Sequence, residues 1–134
     1  MFLTQEDRVA IAELYAAYNF AIDDEHPDEF AACFTPDGVL DVGYGDPVQG
    51  TEALSAFAAG TNQMMPGMRH SVSNLILTGH DDGATGKAYL YTYRQTAEGH
   101  QTILTGRYHD QLRRVDGLWK FADRKMVPDT APAA

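Results

Sequence analysis

The chain is poor in the residues that make staples, membrane anchors and nucleic-acid surfaces. One of its 134 residues is cysteine, Cys33, which excludes an internal disulfide and a multi-cysteine zinc site. No apolar run reaches the roughly 18 residues that a membrane-spanning helix needs. The opening MFLTQEDR meets charge by residue 6 and has no apolar signal core, so a cytoplasmic protein without a membrane partner is expected. Bases are scarce at the front: residues 1–46 carry 11 acids against Arg8 alone, whereas residues 47–134 carry 8 acids and 9 bases. An acidic front repels phosphate backbones, which argues against nucleic acid; its plain reading is a solvated helical face. No glycine-rich phosphate loop follows a strand, no nucleophile elbow occurs, and no histidines stand at paired ligand spacing. Neither a metal nor an organic cofactor is therefore expected.

What is present fits one domain over residues 1–127, with a flexible Pro/Ala-rich tail at 128–134. A chain of this size buries about two-thirds of its surface without a covalent staple. Thr4 followed by Asp7 reads as a helix start. Ile11, Leu14, Tyr15, Tyr18 and Ile22 then recur at helical spacing. The chain breaks at residues 23–27, and a short second helix follows with Phe30, Cys33 and Phe34 inward. Residues 35–38 read as a turn, 39–42 as a short strand, and Val48-Gln49 as its hairpin partner. A third helix spans about residues 51–60, with Leu54 and Phe57 inward. Beyond it the pattern changes to period two. Strands are predicted over 69–77, 84–96, 101–114 and 118–127, linked by residues that accept positive φ. Helices first and a meander last is an α+β pattern. The expectation is a cone-shaped, curved antiparallel sheet with three N-terminal helices on its concave face and an apolar pocket between the layers. Strand 101–114 carries large residues on both faces, which suggests a homodimer through the sheet.

Several segments together resemble the nuclear transport factor 2-like superfamily, and most closely its SnoaL-like branch of small cyclases, dehydratases and isomerases. They are Tyr18-Asn19-Phe20-Ala21-Ile22-Asp23, Phe34-Thr35-Pro36-Asp37-Gly38-Val39, Arg69-His70 with Asn74, Gly106-Arg107-Tyr108-His109-Asp110, and Asp116-Gly117-Leu118-Trp119 ending at Arg124. The resemblance implies a cone with a deep pocket, often dimeric. Bile-acid dehydratases of this superfamily use a tyrosine, an aspartate five residues later, and a histidine on the first long strand. Tyr18, Asp23 and His70 match that spacing. Val42 stands where steroid isomerases carry a base carboxylate and scytalone dehydratases a tyrosine. The second long strand offers Tyr89, Tyr91 and Tyr93 where a second catalytic histidine would fall.

His70 is the sharpest candidate, because an imidazole moves protons near neutral pH. Asp23 would orient it, and Tyr18 would donate to a substrate oxygen while a proton leaves the carbon beside a carbonyl. The competing reading is a core histidine bonded to Asp23 merely to hold helix to sheet. Substrate-facing candidates are Tyr93, Asn74, Arg124, Val42 and Phe57. Tyr93 is chosen for its closeness to His70, against an aromatic ladder with Tyr89 and Tyr91. Asn74 shares parity with His70. Arg124 would bind an anionic group or close the pocket, against a surface or interface ion pair. Met64, Met65 and Met68 suggest a pocket rim, and Cys33 an inert buried thiol. His26, His80 and His100 fall in turns, and His109 points away if Tyr108 faces the pocket. Asp37 reads as a turn cap and Asp41 as outward. The expected activity is a cofactor-independent lyase or isomerase acting on a hydrophobic polycyclic or polyketide-like molecule. The alternative is a non-catalytic ligand-binding or assembly subunit.

Overall fold

Thr4 and Asp7 serve each other's free amides. Thr4 Oγ1 accepts from the Asp7 N–H at 3.0 Å, and the Asp7 carboxylate accepts from the Thr4 N–H at 2.9 Å. In the computed structural model, which describes residues 2–129, this box opens helix α1 (Gln5–Asp23). Asp7 also accepts from the Trp119 indole at 3.1 Å and from Arg114 at 2.6 Å, which ties the helix start to the sheet. Ile11, Tyr15, Tyr18 and Ile22 make the buried stripe. Helix α2 (Pro27–Ala32) begins with proline, where no amide partner is needed. It is shorter than the sequence suggests: Cys33 caps it, and Phe34 already belongs to strand β1 (Phe34–Asp41). Residues 35–38 are thus not a free turn but the irregular stretch of β1, where the register shifts. Strand β2 (Val48–Gln49) pairs back on β1, and helix α3 (Thr51–Met64) follows, one turn longer than expected.

Four long strands complete the chain: β3 (Met68–His80), β4 (Gly83–Thr96), β5 (Gly99–Val115) and β6 (Leu118–Pro128). They form the expected antiparallel meander. Its last turn is Asp116-Gly117 with φ of 52° and 82°, the two positive values that a twisted two-residue hairpin requires. Pro128 closes β6, and the Asp129 N–H donates to the Thr105 carbonyl at 2.8 Å, so the chain stays attached through the start of the expected tail. Residues 130–134 of that tail lie outside the described residues.

The expectation of a cone-shaped antiparallel sheet is corrected. The six strands run in the order β2-β1-β6-β5-β4-β3, and β1 lies parallel to β6. The sheet is therefore mixed, and it is open rather than closed or strongly curled, with β2 and β3 as separate edges. The C-terminal strand inserts between β1 and β5, so the meander widens sideways instead of rolling over. The helices are not all N-terminal either, since α3 follows β1 and β2. They cover one face: α1 packs on β3 and β6, while α2 and α3 pack together beside β1. Between the layers lies an aromatic core. Tyr18, Phe30, Phe34 and Phe121 have ring centroids 4.6–6.0 Å apart. Burying a large apolar side chain of this kind contributes about 1.5–3 kcal/mol. Tyr89, Tyr91 and Val127 are exposed on the opposite face.

Candidate active site

Helix α1 ends at Asp23 beside the start of β3, and its carboxylate closes the gap with two contacts to one residue. One oxygen accepts from the His70 backbone N–H at 3.0 Å; the other lies 2.7 Å from His70 Nδ1. Both side chains are only 8% exposed. A carboxylate can only accept, so Nδ1 carries the proton and Nε2 of the neutral ring keeps its lone pair. His70 forms part of the wall of a cavity of about 540 Å³, within the usual size of a small-molecule pocket. The helix layer, rather than any curling of the sheet, encloses it. The sides come from the C-terminal parts of α1 and α3, the floor from β4, β5 and β6, and the mouth from the exposed Tyr44 and Met64, with Val42 beside Tyr44.

Most of that wall is apolar. Ile22, Phe57, Leu90, Ile103, Leu104 and Met126 contribute to it, and Met64, Met65 and Met68 line it beside the α3–β3 turn. Ile103 and Leu104 both reach the cavity although they are consecutive, because a bulge there puts an extra residue on β5. Two polar wall residues are already satisfied: Thr92 donates to the Leu104 carbonyl and Thr61 to the Phe57 carbonyl, each at 3.0 Å. Inside the mouth, His70 and two phenols supply the polar atoms. Tyr18 comes from α1 and Tyr108 from β5; both are buried, and a side-chain hydrogen bond joins them. Burial is the main reason that both phenols are held above their ordinary pKa. They therefore stay neutral donors at physiological pH.

Beneath the phenols sits a second acidic pair, completely buried. Arg124 Nε lies 3.1 Å from Asp110, and both side chains have no exposure. Asp110 also accepts a hydrogen bond from Tyr15. Glycine at position 86 makes room for this bond, since a Cβ there would overlap the Tyr15 hydroxyl. The guanidinium carbon lies 3.3 Å from the Tyr108 ring centroid and 4.3 Å from those of Tyr18 and Phe121. Burial opposes the Arg124 charge, but Asp110 and the surrounding phenols outweigh it and raise the pKa further.

The structure thus brings His70, Asp23, Tyr18, Val42 and Phe57 to one place, and leaves three substrate-facing candidates elsewhere. Tyr93 lies opposite Arg69, while His70 lies opposite Thr92; directly opposed residues share a face, so Tyr93 is on the outer one, stacked near Tyr91 and His100. Asn74 has a φ of 60° at a bulge that breaks the parity with His70, and it is exposed. Arg124 does not line the cavity but lies under it. A bulge on β6 shifts the inward set from Trp119 and Phe121 to Arg124 and Met126. His26, His100 and His109 are exposed, and His80 accepts from the Asp82 N–H at the β3–β4 turn. Asp37 accepts from Thr35, and Asp41 from the Gly43 N–H. Cys33 is buried, and its thiol is pushed up to about 11 by burial. Among the described residues, no cluster of three His, Cys, Asp or Glu side chains is placed to hold a metal ion.

Sequence reasoning missed Asp110 and weighed Tyr108 only as a reference for His109. A signal existed for Asp110. It sits two residues from Tyr108 on the same strand face, where an acid demands a cation, and its register partner is Arg124.

The SnoaL-like domain profile matches residues 4–125. The chain belongs to the SnoaL-like domain family. Solved structures agree with that placement. A protein of unknown function from Nostoc punctiforme, with a cystatin-like fold, is 30% identical, with a TM-score of 0.86 and coverage of 96% of each chain. A protein of unknown function from Mycobacterium tuberculosis is 28% identical, with a TM-score of 0.87 and coverage of 94% of this SnoaL-like chain and 73% of its own. A protein from Novosphingobium aromaticivorans, proposed to be an aromatic ring hydroxylase, is 29% identical with a TM-score of 0.82, covering 96% of this chain and 92% of its own. No curated protein matches the chain.

Proposed function

We propose that this SnoaL-like protein is a cofactor-independent lyase or isomerase. It takes a neutral, largely apolar polycyclic or polyketide-like ketone and moves a proton on the carbon beside the carbonyl. The observation that carries the reading is the 2.7 Å Asp23–His70 contact at the wall of the same cavity that presents the Tyr18 and Tyr108 phenols. His70 Nε2 takes the α-proton, and the C–H electron pair moves into the carbonyl to give an enolate. Tyr18 donates to Tyr108, which leaves the Tyr108 O–H to donate to the enolate oxygen, and Asp23 stabilises the imidazolium. Return of that proton to another carbon completes an isomerisation; its transfer to a departing β-hydroxyl releases water and completes a dehydration. The cavity wall has no free carboxylate or cation, which favours an uncharged substrate.

Deuterium exchange at the α-carbon of 2-tetralone, a neutral bicyclic ketone, tests the reading without knowledge of the natural substrate. The protein in heavy water is expected to accelerate exchange, and His70→Ala to lower that rate on the order of 10²-fold or more while remaining folded. Bound ketone with no exchange above the buffer rate removes the enzymatic reading and favours the ligand-binding alternative. A His70→Ala protein that unfolds favours a purely structural role for the histidine.

A further inference from the structure

The Arg124–Asp110 pair is the most expensive feature of the core, and the proton transfer above does not use it. A buried ion pair is weak as a stabilising device, because hydrophobic residues of similar volume often serve as well or better. Its placement points to another use. The guanidinium is sealed from solvent and does not line the cavity. Its carbon lies 3.3 Å from the Tyr108 ring centroid and 4.3 Å from that of Tyr18, the two hydrogen-bonded phenols that line the cavity. None of the three guanidinium nitrogens has a hydrogen-bond partner, and the 3.1 Å approach of Nε to Asp110 is an ion pair, so the charge is not distributed over a network of acceptors.

We infer that Arg124, held under the two cavity phenols by Asp110, is a positioning residue that strengthens the hydrogen-bonded Tyr18–Tyr108 pair as a donor to a negatively charged oxygen. The inference rests on the proton-transfer reading and names what that reading needs at the enolate end. A cation against a phenol ring draws electron density from the hydroxyl and favours any negative charge that forms beyond it. The effect is large because water is excluded and the cation is fixed before the reaction starts. The charged and titratable groups around Arg124 are Asp110, Tyr15, Tyr18, Tyr108 and, more remotely, Cys33; Asp23 acts on Tyr108 from α1. Asp110 opposes the effect, but at both phenols the pull of Arg124 is stronger than the push of Asp110. Tyr15 helps by donating to Asp110 from the other side. Selectivity follows: the cavity prefers a ligand whose oxygen gains negative charge over its neutral isostere.

The test uses 4-nitrophenol as the probe, since its phenolate absorbs in the visible and its phenol does not. Ionisation of the bound probe is followed against pH in the full chain, in His70→Ala, and in an Arg124→Met/Asp110→Asn double variant that removes both charges and keeps an acceptor for Tyr15. The unmodified protein is expected to ionise the bound probe at least as readily as free solution. The double variant is expected to require a pH about one unit higher, a roughly tenfold loss of preference for the phenolate. Binding of neutral 4-nitrotoluene is expected to change little, and Arg124→Lys to retain most of the phenolate preference; a merely structural role would not separate the two ligands. His70→Ala is expected to keep the effect, which separates the guanidinium from the imidazolium. Equal ionisation in the unmodified protein and the double variant overturns the inference. If the double variant does not fold, His70→Ala decides: a bound probe that ionises less readily than in free solution, or no uptake of the probe, also overturns it. Loss of 2-tetralone exchange alongside an intact phenolate preference is a failure of the proposed reaction and not of this assignment.

Discussion

Two aspartates at or beneath the cavity hold basic side chains, an imidazole for Asp23 and a guanidinium for Asp110, and the two partners differ in whether the charge can move. Asp23 holds His70 at the cavity wall, and an imidazole is the side chain type suited to handling protons. Asp110 holds Arg124 in the sealed core, where the partner is permanently charged. The first pair is anchored by a helix end and one backbone N–H. The second is buried by two helical tyrosines, a neighbouring strand and a glycine that leaves space. A mobile charge suits a group that handles protons, and a fixed one suits a group that sets the field around them. The same residue type thus sits in two settings because the surrounding elements differ in access to the cavity.

Breaking the fixed pair has the largest expected effect. Arg124→Met leaves the Asp110 charge buried without its cation, a loss of about 3–5 kcal/mol of folding stability. Denaturant unfolding reads it, and adding Asp110→Asn is expected to restore much of the loss. A single variant within about 0.5 kcal/mol of the parent would mean that the pair is not ionised in the folded state. The mobile pair is expected to respond in turnover rather than in fold. Asp23→Asn keeps an acceptor for the His70 N–H but removes the charge that stabilises the imidazolium. Exchange on 2-tetralone is expected to fall about tenfold, with little change in unfolding. A variant with full exchange would show that the imidazole works alone.

The smallest effect belongs to a third aspartate, which sharpens the contrast because its partners are mostly neutral. Asp7 is held at about 2, below its ordinary 3.8. The main causes are the Thr4 N–H and the Trp119 indole, with Arg114 contributing less. Its folded pKa is depressed, so its contribution is fully present above about 3.8 and fades as pH falls through about 2. Asp7→Asn is expected to flatten that part of the acid unfolding curve and to lower stability by a pH-independent amount across the neutral region. An unaltered acid limb would place the depressed carboxylate elsewhere.

Local rules made much of this legible in the sequence. The capping box, the apolar stripe of α1 and the period-two strands each depend on residues a few positions apart. The Asp23–His70 encounter was legible through the family resemblance. The rest depended on events that one-dimensional patterns do not carry. Parallel pairing of β1 with β6 joins segments far apart in the sequence, and no short-range signal announces it. Parity misplaced Asn74 because a bulge adds a residue between it and its expected face. A bulge on β6 likewise decides that Arg124 points inward. Tyr93 failed for a different reason: proximity along paired strands was counted without asking which face each residue takes.

A ketone oxygen in this cavity can settle at either end, and the proposed chemistry depends on which end it takes. A crystal structure with 2-tetralone bound addresses this directly. The predicted arrangement has the carbonyl oxygen within hydrogen-bond reach of the Tyr108 hydroxyl, with the α-carbon facing His70 Nε2. A ketone oxygen turned toward Tyr44 at the mouth, or a His70 Nε2 bonded to the protein and shut off from the ligand, would contradict it.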